Sequence, residues 1–146
     1  MIYLGACHCE AIGFAYETAV APEAWLLRAC TCRFCRTHGA ATTSDRQGAL
    51  ELVCRDSEML VRYQFGLRTA DFWICRGCGV YLGAATTDAS SGIINTNALV
   101  DRTIKLSSPY PMSYEGETVA ARTERRRQRW TPLRSMKSSV IAMLSK

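Results

Sequence analysis

Bulky and small residues alternate along Ile12-Gly13-Phe14-Ala15-Tyr16, which predicts a strand. Trp25-Leu26-Leu27 leads directly into Cys30, so a second strand is expected to end at a cysteine. Ala40 to Ser44 reads as a short third strand. Leu50-Glu51-Leu52-Val53 and Leu60-Val61-Arg62-Tyr63 read as two strands paired with each other across a turn at Asp56-Ser57-Glu58. Phe72-Trp73-Ile74 runs into Cys75 and Val80-Tyr81-Leu82 leaves Cys78, a hairpin whose turn is a knuckle of two cysteines, with Gly77 and Gly79 supplying permissive backbone. Ile93 to Asn97 predicts one more short strand. Strands at short intervals with few helical stretches predict a mainly β body over residues 1–110.

Beyond Ser107-Ser108-Pro109-Tyr110-Pro111 the pattern changes. Thr123 to Arg129 is basic and helix-compatible, and Thr131-Pro132 ends that run. Leu133, Met136, Val140, Ile141 and Leu144 then fall on one helical face. Residues 111–146 are expected to form a basic, partly helical extension packed on the body or on a partner.

The chain has 146 residues, enough for one domain with its own core. No run of about 18 apolar residues is present, so no helical membrane span is expected. The first residues lack the basic region and apolar stretch of a signal peptide, which points to the cytoplasm, where thiols stay reduced. The net charge of +5 is uneven. Residues 101–146 carry ten Lys/Arg and four Asp/Glu, whereas residues 1–100 carry eight and nine.

The eight cysteines change the picture most. Seven lie in three tight clusters, Cys7/Cys9, Cys30/Cys32/Cys35 and Cys75/Cys78, and Cys54 stands alone. Disulfide frameworks spread their cysteines out, so this clustering favours metal. Seven thiols divide most naturally into a closed, four-thiolate structural zinc site and an open, three-thiolate one. Spacing alone lets Cys75 and Cys78 join either flanking cluster. It does mark Cys30, Cys32 and Cys35 as the open set, because one segment supplies all three. Three thiolates leave zinc electron-rich, suited to holding an incoming thiol as thiolate for attack on an electrophile such as an aldehyde.

Other residues carry two readings each. Cys54 reads as a buried apolar thiol rather than a ligand. His8 alternates with two ligands and is expected to point outward. His38 is placed for a fourth ligand or a proton shuttle. Arg33 and Arg36 beside the open site either balance its charge or bind a substrate carboxylate. The Arg122–Arg129 run reads first as a solvated helix face and second as an anion or nucleic-acid contact.

Three stretches together, Gly5-Ala6-Cys7-His8-Cys9-Glu10-Ala11-Ile12-Gly13-Phe14, Ala29 to Arg36, and Phe72 to Gly79, resemble the glutathione-dependent formaldehyde-activating enzyme family, which includes centromere protein V. Glu10 departs from the glycine that many members carry after the second cysteine. The resemblance implies a β-tent fold of small twisted antiparallel sheets. It implies a structural zinc on Cys7, Cys9, Cys75 and Cys78, and a catalytic zinc on Cys30, Cys32 and Cys35. It also implies a carbon–sulfur lyase acting on glutathione and formaldehyde, of the S-(hydroxymethyl)glutathione synthase type. The competing expectation is a non-catalytic zinc module that meets nucleic acid or protein through its basic tail, nucleic acid being the less favoured partner. Neither oligomeric state nor the identity of the thiol and aldehyde follows from the sequence.

Overall fold

The computed structural model describes residues 1–134. Among these residues eleven strands and two α-helices follow one another. The first half holds β1 (Ile2–Ala6), β2 (Ile12–Glu17), β3 (Arg28–Cys30), α1 (Arg33–His38), β4 (Thr42–Thr43) and β5 (Ala49–Cys54). The second half holds β6 (Leu60–Tyr63), β7 (Ala70–Cys75), β8 (Tyr81–Thr86), β9 (Ser91–Asn95), β10 (Tyr110–Met112), α2 (Val119–Arg129) and β11 (Thr131–Pro132). The molecule is mainly β, as expected.

Two sheets share one core. The small sheet has the order β1-β2-β5, all antiparallel. The large sheet runs β10-β3-β4-β9-β8-β7-β6, with β11 added beside β9. Its single parallel pair is β10 with β3. Ile12, Phe14, Tyr16 and Leu50 from the small sheet pack with Trp73, Leu82 and Ile94 from the large one. Within the small sheet the Phe14 ring lies over Gly5 on the neighbouring strand, where any Cβ would collide with it. Glycine is therefore required at that position, and the ring covers the backbone it leaves bare.

The expected pairing of β5 with β6 does not form. β5 pairs with β2, and β6 pairs with β7 at the edge of the other sheet. The intervening Ser57–Met59 is a 3-10 turn that carries the chain between sheets. The reason is burial. β5 is almost wholly enclosed, with Leu50 and Val53 fully buried, whereas β6 exposes Arg62 and Tyr63 and suits an edge.

The C-terminal segment is bound tightly to the body. β10 pairs with β3, and β11 pairs with β9. The backbone N–H of Leu133 donates to Ser90, and that of Arg134 to Leu50. Leu133 forms a bridge with Leu50 and so does not begin the expected second helix. Met136, Val140, Ile141 and Leu144 lie outside the described residues. Among the described residues no helix is long and apolar enough to cross a membrane.

Candidate metal centre

The two sheets bring Cys7, Cys9, Cys75 and Cys78 together, and all their sulfurs lie within 4.8 Å of one another. Cys7 and Cys9 follow β1, Cys75 ends β7, and Cys78 lies in the turn before β8. This cluster thus joins the small sheet to the large one. Gly79 takes a φ of +77°, the left-handed turn that lets Cys78 fold back over Cys75. Glu10 takes a φ of +64°, which explains why a glycine would be at ease there.

The sulfur spacing fits a tetrahedral ion. Four sulfurs about 2.3 Å from a common centre stand about 3.8 Å apart. Here Cys7 and Cys9 are 3.7 Å apart, and Cys9 and Cys75 are 3.5 Å apart. Backbone N–H groups supply the surrounding donors, such as Ile12 N–H to Cys7 Sγ at 3.5 Å. Burial pushes Cys7 up to about 12. Burial would also raise Cys78, but the N–H groups of Cys9 and Val80 draw it down to about 6.

The second cluster is local. Cys30 ends β3, Cys32 caps the N-terminus of α1, and Cys35 lies in its first turn. The Cys32 sulfur accepts the N–H of Cys35 at 3.4 Å, and Gly39 closes the helix in the left-handed conformation. Their sulfurs also lie within 4.8 Å of one another, and among the described residues no fourth His, Cys, Asp or Glu joins them. The hydrogen bond with Cys35 draws Cys30 down to about 5, and the same bond, then burial, pushes Cys35 up. In both clusters an acidic thiol thus sits beside one that holds its proton. A divalent ion displaces such shared protons and binds the thiolates. Both donor sets fit a soft cation such as zinc.

A cavity of about 440 Å³ opens beside the three-cysteine cluster. Cys30, Cys32 and Cys35 form one wall, and Phe65, Phe72, Tyr81, Ile93 and Trp130 an apolar one. Arg28, Arg122, Arg125 and Arg126 add four cations. The four-cysteine cluster does not line it. Tyr81 is fully buried, and its hydroxyl has no hydrogen-bond partner among the described residues. Burial, and then the nearby Cys35, Cys30 and Cys32, push that phenol well up.

Several expected residues stand elsewhere. Arg33 and Arg36 are exposed and do not line the cavity. His38 is exposed, its ring against Phe34 and Tyr81 at 4.7 and 5.5 Å, and it is not among the side chains that meet at the cluster. His8 is exposed. Cys54 is half-buried at the end of β5, apart from both clusters.

The basic run is a solvated face only in part: Arg127 and Arg129 are exposed, and the other three arginines turn toward the body. Arg122 and Arg125 both bind Glu117, at 3.0 and 2.9 Å, with all three side chains less than one-fifth exposed. Arg126 is buried against Trp130. The signal for this was Trp130 itself: Arg122, Arg126 and Trp130 recur every four residues, a stripe that faces inward.

Comparison with known proteins follows the same outline. A search of curated proteins finds no match. The crystal structure of a Rhodobacter sphaeroides protein, a structural genomics target, is similar at 32% identity and a TM-score of 0.54, covering 75% of this chain and 99% of that one. The sequence profile described as glutathione-dependent formaldehyde-activating enzyme matches residues 2–114, a span that holds both cysteine clusters and stops short of α2. The chain belongs to the glutathione-dependent formaldehyde-activating enzyme family.

Proposed function

We propose that the protein is a zinc-dependent carbon–sulfur lyase or synthase that joins a thiol such as glutathione to an aldehyde such as formaldehyde, and releases them in reverse. The supporting observation is the asymmetry of the clusters: only the three-cysteine one faces the cavity. Cys7, Cys9, Cys75 and Cys78 would hold a structural zinc, and Cys30, Cys32 and Cys35 a catalytic one. A cation on three thiolates supplies an open coordination position and favours the thiolate form of an incoming thiol near neutral pH.

The chain's own residues do the rest. In the forward direction a carbon–sulfur bond forms from the sulfur lone pair, the carbonyl π bond breaks, and its electrons pass to oxygen. That oxygen gains one proton and the thiol loses one, so nothing is oxidised or reduced. The Tyr81 hydroxyl, buried and unpartnered beside the thiols, is placed to donate a hydrogen bond to this oxygen. Phe65, Phe72 and Trp130 exclude water from the reacting carbon. The alternative of a nucleic-acid module loses support from the tail. Arg122 and Arg125 are held by Glu117 and Arg126 is buried, which leaves Arg127, paired with Glu124 at the surface, and Arg129 as the exposed arginines of the helix.

The test is exchange spectroscopy on glutathione and formaldehyde with and without protein. The expected result is faster formation of the hydroxymethyl adduct with wild type, lost in a folded Cys32→Ser variant. Equal rates with and without wild-type protein would overturn the proposal.

A further inference from the structure

We propose that the cavity is built for a ligand carrying a carboxylate, anchored by Arg126, so that α2, beyond the span shared with the family profile, sets which acid enters. This deepens the thiol–aldehyde reading and rests on it only for the sulfur end of the ligand.

The argument begins with unequal treatment of the arginines on α2. Arg122 and Arg125 share Glu117, and Arg127 pairs with Glu124. Arg126 is 7% exposed, yet no carboxylate pairs with it among the described residues. Its Nη1 donates to Thr69 Oγ1 at 2.7 Å, and its guanidinium lies 4.5 Å from the centre of the Trp130 ring. Its Nε is buried with no hydrogen-bond partner among the described residues. Burial, then Arg125 and Arg122, push this guanidinium down to about 10, against a weaker opposing pull from Glu117, which makes no ion pair with it.

A buried cation without a counter-ion is costly and persists only where something else answers it. Arg28, on β3, repeats the pattern. It is 9% exposed, donates to Ser44 Oγ at 2.6 Å, and pairs with no carboxylate among the described residues. Both line the cavity that holds the three thiols. Glu115 also lines it but is exposed. The buried part of the cavity therefore has thiols on one wall and guanidinium with no paired carboxylate on another. A carboxylate fits the planar guanidinium fork. A volume of about 440 Å³ suits a small organic acid rather than a polymer. Arg126 acts here as a binding residue.

The experiment compares wild type with Arg126→Met by calorimetric titration. The probes are S-methylglutathione, which has carboxylates and no free thiol, and its diethyl ester, which has neither. Wild type is expected to bind the acid at least tenfold more tightly than the ester. Arg126→Met should lose that preference while keeping its melting temperature, because an apolar chain of similar volume replaces an unpaired buried charge. If Arg126→Met does not fold, Arg126→Lys serves instead. It keeps the charge without the fork and should show a reduced preference. Equal binding of acid and ester by wild type, no binding of either, or an undiminished preference in the variant overturns the anchor. The sulfur end is read separately, by glutathione titrated into cobalt-substituted protein. No spectral change there, with the acid preference intact, would sink the thiol reading and leave the anchor standing.

Discussion

The two cysteine clusters use one ligand chemistry in opposite surroundings. The four-cysteine cluster draws on segments 66 residues apart, Cys9 and Cys75 touching across the gap between sheets. Its neighbours are satisfied: among the described residues the buried side-chain nitrogen and oxygen atoms without partners are Tyr81 Oη and Arg126 Nε, and both belong to residues that line the cavity beside the other cluster. The three-cysteine cluster draws on one short segment, strand end to first helical turn. It bridges nothing distant, and its surroundings hold unanswered polar groups. On the proposed reading, long-range closure with satisfied neighbours serves architecture, and local closure beside a cavity with orphaned donors serves chemistry.

The largest expected effect breaks the first cluster. Binding of a structural zinc contributes on the order of 10 kcal/mol to folding, comparable to the whole stability of a domain at about 5–15 kcal/mol. Cys75→Ser should give insoluble or unfolded protein, whereas Cys32→Ser should lose one of two ions and keep its circular dichroism. Elemental analysis and thermal melts on both variants check this. Equal unfolding of the two would erase the distinction between the sites.

A smaller effect sharpens the second region. Tyr81→Phe removes a hydroxyl that no described residue satisfies. An unsatisfied buried group costs about 1–3 kcal/mol, so the variant should melt higher than wild type. A hydrogen bond to developing oxyanion charge is worth about 10²–10³ in rate, so the same variant should be that much slower in adduct formation. A more stable and less active enzyme is the signature of a functional orphan. A less stable variant with unchanged rate would make Tyr81 a structural residue.

How much of this was legible in the sequence follows from the range of each interaction. The hairpin around Cys75 and Cys78, the strand at Ile12 and the helix over the basic run are local patterns, and each appears where its residues put it. The pairing of β5 was not legible, because a strand's partner depends on which sheet can bury Leu50 and Val53. Arg33 and Arg36 drew attention by adjacency to Cys35, yet α1 turns them outward. The cavity's cations come instead from Arg28 and from α2, roughly ninety residues further along. A positive run reads as solvated until the acid that pairs with it is found, and Glu117 lies upstream of the helix it holds.

That pairing carries the smallest effect. Glu117 is bound by Arg125 through two hydrogen bonds, at 2.9 and 3.0 Å, and by Arg122 at 3.0 Å. These contacts, Arg125 first and Arg122 after it, hold its carboxyl below the ordinary range, although partial burial opposes them. Arg125 also lies over the Tyr114 ring at 3.8 Å, so the same cluster fixes the approach to α2. A depressed carboxylate pKa stabilises the fold above the unfolded value, about 4.3 for glutamate, and this contribution is lost as pH falls through the folded value. Glu117→Gln should therefore cost about 1–2 kcal/mol at pH 7. The difference from wild type should shrink steadily below about pH 4.3. Urea melts followed by tryptophan fluorescence at pH 7, 5 and 3 measure it, with Trp130 reporting on the end of α2. A gap that stays constant across that range would mean that α2 is held by its packing alone.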